Sequence, residues 1–91
     1  MVWWWVLAAG AALLFAAIAL DTITDWIEEN QQIDSSYGEV IRTKLRDGDY
    51  RVVAGIFDTR GNCTAQQAWE GELEDDLSAQ FHGRDTIRVE L

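Results

Sequence analysis

Apolar positions follow one another without a break at the start of the chain. Residues 2–20 read VWWWVLAAGAALLFAAIAL, with no charged residue, no Pro and a single Gly. A helix of these 19 residues, rising about 1.5 Å per residue, is ~28 Å long and matches a hydrocarbon core of about 30 Å. The pattern therefore predicts a transmembrane helix over residues 2–20.

Two sets of side chains fit a membrane helix. Indole rings favour the boundary between lipid and water, because the ring is apolar while its N–H needs a partner. The interface anchors predicted on this basis are Trp3, Trp4, Trp5 and Trp26. Small residues spaced four apart let a second helix approach closely in lipid. A helix-packing face is therefore predicted at Ala8, Ala12 and Ala16.

A cleaved signal peptide is the alternative for this segment, since Ala17-Ile18-Ala19 is an A-x-A pattern after an apolar run. No Lys or Arg follows Met1, and the run exceeds the usual length of a signal h-region, so a retained anchor is favoured. No basic residue flanks either end. The α-amino group alone then favours an inside N-terminus and a head on the periplasmic or extracellular side.

A helical period continues beyond the apolar run. Ile23, Trp26 and Ile27 fall on one side of a helix, whereas Asp25 and Glu28 fall on others. Residues 21–33 are therefore expected to extend the helix outside the membrane, to about Gln32. The stretch DSSYG that follows, residues 34–38, predicts a break in the chain.

Residues 34–91 are predicted to form a small α+β head. Residues 39–45 alternate with a period of two, although a short helix also fits them. Strands are expected over residues 50–57, with apolar residues on both faces as in a central strand, and over 63–69. Leu73, Leu77 and Phe81 recur every four residues and predict a short helix. A final half-buried strand is predicted over residues 86–91.

The fold class predicted from these patterns is a single transmembrane α-helix extended by an amphipathic segment, plus this head. Within the head we expect an antiparallel meander, one short helix and a final strand. The Asp47-Gly48 dipeptide suits the tight turn between the first two strands.

Charge is distributed unevenly along the chain. The formal net charge is −9, and no Lys or Arg occurs before Arg42. Residues 21–41 carry six acids and no base: Asp21, Asp25, Glu28, Glu29, Asp34 and Glu39. Such a chain would be repelled by a phosphate backbone, so nucleic-acid binding is disfavoured.

Candidate chemistry is sparse. With one Cys, Cys63, and one His, His82, the chain can form neither an internal disulfide nor a zinc site made of Cys and His. These two residues alone do not define a nucleophile–base pair. The acids at residues 70–76 are explained by the start of the predicted helix. We therefore expect no catalytic residues, no cofactor and no metal site.

A long helix followed by a small meander resembles the architecture of type IV pilin-like proteins. In that architecture an apolar half-helix assembles a filament and its amphipathic half packs on a sheet. The resemblance implies a component present in many copies. The chain departs from the pattern at Trp5, where these proteins usually carry Glu, and it lacks their processing site.

These observations together predict a non-enzymatic, single-pass membrane protein that acts as a structural or accessory subunit of a larger membrane assembly. Its expected partners are the lipid bilayer and other membrane-protein chains or itself. Two alternatives remain open: a membrane-tethered extracytoplasmic module that binds an extracellular ligand or a cationic partner through its acidic face, and a pilin-like or virion membrane component.

Overall fold

The structure is a computed structural model that describes residues 12–91. Five strands and two short helices make up this part of the chain. In chain order they are β1 (Leu13–Ile18), α1 (Leu20–Asn30), β2 (Ser35–Lys44), β3 (Tyr50–Asp58), β4 (Cys63–Leu73), α2 (Asp75–Gln80) and β5 (Thr86–Glu90).

All five strands join one sheet in the order β1-β4-β3-β2-β5. The three strands β2, β3 and β4 form an antiparallel meander, and β5 returns to pair antiparallel with β2. On the opposite edge β1 pairs parallel with β4, so that Leu13 lies beside Trp69. Both edges of the sheet are therefore built from strands remote from their neighbours in sequence.

The main core lies between the sheet and the two helices. Ile23 and Ile27, four residues apart on α1, are buried against the sheet. From α2, Leu77 enters the same cluster, and Phe81 joins it just beyond the helix. The amphipathic spacing of α1 thus supplies the apolar face that covers one side of the sheet.

A second apolar cluster occupies the other face. In the central strand β3, Val52 belongs to the core under the helices, while its neighbour Val53 belongs to this second cluster. Both are almost fully buried. The prediction of a central strand with two apolar faces is therefore confirmed.

The prediction of a transmembrane helix over residues 2–20 is wrong. Leu13–Ile18 is a strand, and the first described helix begins only at Leu20. No helix within residues 12–91 is both long and apolar enough to cross a bilayer. The predicted fold class, the single-pass membrane topology and the head on the periplasmic or extracellular side are corrected accordingly. The long helix behind the resemblance to pilin-like proteins is also absent from this part of the chain.

The error has a physical cause. A short apolar run has the same composition in a strand as in a helix, and only its hydrogen-bonding partner decides between the two. Here the backbone of Leu13–Ile18 pairs with β4, more than fifty residues later in the chain. Ala19, with extended backbone angles, separates this strand from α1.

Several element predictions after residue 20 are confirmed. The strands predicted at residues 50–57, 63–69 and 86–91 correspond to β3, β4 and β5, and the open choice at residues 39–45 is settled as strand. Several boundaries differ, among them the end of β4, which continues to Leu73 rather than ending near Trp69. Helix α1 ends at Asn30 rather than near Gln32, the predicted break at residues 34–38 largely belongs to β2, and α2 begins at Asp75 rather than Leu73.

Candidate functional site

An open groove of about 430 Å³ lies between α1, α2 and the β2–β5 end of the sheet. Among the described residues its lining is mostly apolar, and the polar side chains come from the two helices and from Gln31 just after α1. The lining residues are Leu20, Ile23, Thr24, Ile27, Glu28, Gln31, Val40, Leu77, Gln80, Ile87, Val89 and Leu91.

The groove follows from the width of the sheet. Five strands spaced about 4.8 Å apart place the outer strands roughly 19 Å from each other, whereas one helix with its side chains is only about 10 Å wide. Helix α1 is held towards β4 by an edge-to-face contact between Trp26 and Trp69, whose ring centroids are 5.8 Å apart. The inner face of β5 is left without a helix over it, and Ile87 and Val89 remain half-buried.

A glycine keeps the floor of the groove low between its two walls. Gly38 of β2 faces the helix side, and a Cβ added there would lie 3.8 Å from Cδ1 of Ile27 and 3.9 Å from Cβ of Val89. Any larger side chain would fill the space between α1 and β5. The site therefore depends on a small residue in β2 as well as on the position of the helix.

The helix that forms one wall is acidic and has no partner ions among the described residues. Helix α1 carries Asp21, Asp25, Glu28 and Glu29 and no base. The ion pairs within residues 12–91 are Arg42–Asp85, Arg51–Glu70 and Arg88–Glu90, none of which involves α1. Of these acids Glu28 lines the groove, so the groove is bordered by a negative charge that has no ion-pair partner among the described residues.

Three further features bear on what the site can do chemically. The lining contains one titratable side chain, Glu28, at the rim. The floor is formed by buried aliphatic residues such as Ile27, Val40 and Leu77. No group of three or more His, Cys, Asp or Glu side chains suited to a metal occurs in the described part of the chain. The groove thus presents a mainly aliphatic surface with one ionisable side chain at its rim.

Cys63 and His82, the residues considered for nucleophilic chemistry, lie in different surroundings. Cys63 packs against the cluster on the sheet face opposite α1, where its Sγ lies 3.4 Å from the carbonyl oxygen of Ala65 and 3.3 Å from Oε1 of Gln66. Burial raises the pKa of this thiol, which disfavours the reactive thiolate. His82 follows α2 with a positive φ and is exposed.

Asp58 is a buried carboxylate that organises the turn between β3 and β4. Its Oδ1 accepts hydrogen bonds from the backbone N–H groups of Asn62 and Arg60, both at 2.9 Å. These bonds favour the charged form, and the one from Asn62 is the largest cause of a lowered pKa at this carboxyl. From its sequence this segment is predicted only as a turn.

The acids at residues 70–76 do not all lie at the start of the helix, because Glu70 and Glu72 belong to β4. The two that begin the helix, Asp75 and Asp76, serve two structural purposes. Asp75 and Asp76 lie in the first turn of α2, as the helix-dipole argument predicted. Asp76 also accepts a hydrogen bond from the backbone N–H of Leu20, at 3.3 Å. That N–H is one of the groups at the start of α1 without a partner inside the helix, so Asp76 connects the two helices.

The remaining predicted site residues are distributed as follows. Trp3, Trp4, Trp5 and Ala8 lie outside the described residues. Ala12 precedes β1 and Ala16 lies within it, so these two alanines do not share a helix. Trp26, predicted as a membrane-interface anchor, instead packs against the main core beside Trp69.

Comparison with family models, with curated proteins and with solved structures finds no significant match to this chain. What the fold and the groove define is a small, sheet-dominated domain with an apolar site at the edge of its helical layer.

Sequence reasoning missed this groove. It did find the alternation of Ile87 and Val89 in a half-buried strand, and the uncompensated acids of α1. It had no signal for the position of α1 across the sheet, because that position depends on Trp69, which is distant in the chain. Without knowing the position of α1, Thr24 and Gln31 could not have been identified as residues that line the groove.

Proposed function

We propose that the protein is a non-enzymatic interaction module, an accessory subunit that binds a basic amphipathic helix of a partner protein in the groove between α1 and β5. The observation that carries the proposal is the coincidence of an open apolar floor with an acidic helix that lacks ion-pair partners within residues 12–91.

The shape of the groove suits a helical segment. Its wall follows α1 from Leu20 to Gln31, a length of roughly 16 Å. A partner helix of about three turns matches this length and presents apolar anchors at positions i, i+3 or i+4, and i+7. The half-buried side chains of Ile87 and Val89 would be covered by such anchors, and their burial would drive binding.

The charge around the groove determines which residues the partner helix should carry on either side of its apolar stripe. Glu28, which lines the groove, favours Lys or Arg beside the apolar stripe, and the other three acids of α1 add to the negative potential that disfavours acidic segments. Because exposed charges act across solvent, their contribution falls when salt is added. Binding is therefore expected to combine a salt-independent apolar part with a salt-sensitive electrostatic part.

A small apolar molecule is a weaker fit to the same space. The volume lies within the range of about 300–1,000 Å³ typical of small-molecule sites. Such sites, however, also carry a few polar groups that fix the orientation of the ligand. Here the polar lining residues among the described residues are Thr24, Glu28 and Gln80 on the helices and Gln31 just after α1, and the strands contribute aliphatic side chains.

The proposal is tested with synthetic peptides and the full chain. The probe is a three-turn peptide with Leu at every third or fourth position and Lys between them; one control replaces each Lys by Glu, and another scrambles the order. Methyl NMR spectra should show the Lys peptide shifting signals of Leu77, Ile87 and Val89. Equal affinity for all three peptides, or shifts confined to other surfaces, would contradict the proposal.

Two pairs of variants locate the site. Val89→Trp fills the groove and should abolish binding, whereas Thr86→Trp, on the opposite face of β5, should not. Glu28→Gln should weaken binding by up to about fivefold and reduce its salt dependence, as expected for an exposed ion pair of roughly 0.2–1 kcal/mol. Glu72→Gln, beside the far edge of the sheet, is the matched control. If Thr86→Trp and Val89→Trp act alike, the groove is not the binding site.

A further inference from the structure

The outer edge of β1 is the most apolar exposed strand surface of the described chain. Strand β1 ends the sheet order, and among residues 12–91 only β4 pairs with it. Its side chains Leu13, Leu14 and Phe15 are 49%, 81% and 39% exposed. They account for three of the five large apolar residues exposed within the described residues; the others are Ile33 and Leu91.

The opposite edge of the sheet is built differently. Strand β5 carries Arg88 and Glu90, both exposed, alternating with its inward-facing residues. Charges on an edge strand oppose pairing with another chain, because pairing would desolvate them or place them beside like charges. Residues 12–19, which contain β1, carry no charge at all. One edge is protected and the other is not.

We propose that the outer edge of β1 pairs with the same edge of a second copy of this chain, antiparallel and about a two-fold axis. The pairing joins the two sheets and covers Leu13, Leu14 and Phe15 of each copy. It satisfies the backbone N–H and C=O groups that β1 directs away from β4. Because β5 is protected, each copy offers one such edge, and the assembly closes as a dimer.

The distribution of charge favours β1 as the meeting point of the two copies. Two chains of net charge −9 repel each other, and an uncharged strand allows contact without bringing acids together. Near β1, Glu70 is neutralised by Arg51 at 3.0 Å, whereas Glu72 lies beside Ala17 and is exposed. Antiparallel pairing would separate the two Glu72 residues by about 17 Å, from the spacings of strands and residues. That separation exceeds the Debye length of about 8 Å in physiological salt.

The area involved sets the strength of the dimer. A strand of six residues is about 20 Å long. The surface buried between the two copies is therefore expected to be below roughly 1,200 Å², at the small end of the range for protein–protein interfaces. The dimer is therefore concentration-dependent. It differs from groove binding in its response to salt: screening weakens the repulsion between copies and strengthens the dimer, whereas the basic peptide binds less tightly. Failure of one proposal is thereby distinguishable from failure of the other.

Sedimentation equilibrium of the full chain tests the dimer over a range of concentrations. Wild type should form dimers and no larger species. Leu14→Lys should raise the dissociation constant by about tenfold or more, which corresponds to ~1.4 kcal/mol. Ile33→Lys, which places the same charge on a fully exposed residue outside the sheet, should leave it unchanged. A monomer at every concentration, an open polymer, or equal effects of both substitutions would overturn the proposal.

A second measurement needs no substitution. Hydrogen exchange of wild-type β1 amides should slow as the concentration rises, while the amides of β5 exchange at constant rates. Concentration-independent exchange in β1 would overturn the proposal even if Leu14→Lys failed to fold.

Discussion

At the scale of single residues, Gly71 controls how β1 joins the sheet. Gly71 lies in β4, and a Cβ built on it would collide with the carbonyl oxygen of Phe15. The register between β1 and β4 shifts between Leu14 and Ala17, at the same place. A glycine inside a strand often marks such a bulge or a close approach of another backbone. The sequence alone contains this signal, although only the structure shows which backbone approaches.

Gly71→Ala should therefore displace β1. The obstructing atoms belong to the backbone and cannot move aside as a flexible side chain would, so we expect the free energy of unfolding to fall by about 1–3 kcal/mol. Urea denaturation measures this loss. Gly38→Ala is the control, because its added Cβ would meet no atom closer than 3.4 Å. Equal losses in both variants would show that the contact with Phe15 is not the cause.

Asp58 makes a residue-scale prediction about pH. Its pKa is lowered in the folded chain by hydrogen bonds from backbone N–H groups, so the charged form stabilises the fold. This stabilisation is fully present above the pKa of an unfolded Asp, about 3.9, and is lost as the pH falls through the lower folded value.

Asp58→Asn should remove this part of the pH dependence. The free energy of unfolding, measured by denaturation in acid, should fall less steeply below about pH 4 in the variant than in wild type. Asp47→Asn is the comparison, because Asp47 accepts one backbone hydrogen bond in its turn rather than two. An unchanged slope in Asp58→Asn would contradict the assignment.

At the scale of elements, the sequence is informative where the pairing partner is close in the chain. Strands β3 and β4 are joined by a short turn. The apolar run of β3, the alternation of β4 and the Asp58–Asn62 turn between them locate both strands. Strand β5 is also located correctly although its partner β2 lies far earlier in the chain, because Ile87 and Val89 alternate clearly with charged residues. Pattern and local pairing agree in β3 and β4, whereas in β5 the alternation alone identifies the strand.

The first strand, β1, cannot be identified from its own pattern of residues. Leu13–Ile18 has no alternation, and its uncharged composition suits a membrane helix as well as a strand. What decides is pairing with β4, which lies more than fifty residues later in the chain. The candidate groove is unpredictable for a related reason. The sequence predicts both elements that form the walls of the groove, α1 and β5. The gap between them, however, depends on how Trp26 packs against Trp69.

At the scale of the whole molecule, the topology combines a local meander with two remote edge strands. Strands β2, β3 and β4 are connected by short turns, whereas pairing Leu13 with Trp69 closes a loop that spans most of the described chain. Closing long loops costs more conformational entropy than closing short ones. The edges should therefore be less stable than the centre, and both proposed binding surfaces lie at these edges.

Native-state hydrogen exchange should reveal this order of stability. Val52–Ile56 of β3 is bonded on both sides and buried on both faces, so its amides should exchange only on global unfolding. The amides of β1 that bond to β4 should exchange through a partial opening of lower free energy, since β1 can detach while the meander remains intact.

The measurement is made at concentrations where the chain is monomeric, because a dimer would protect β1. Gly71→Ala should lower the free energy of this opening. The free energy obtained from exchange of the β3 amides should still equal that of global unfolding in the variant. If β1 amides in the wild-type monomer exchange as slowly as those of β3, the sheet opens as one unit and the edge is not separately labile.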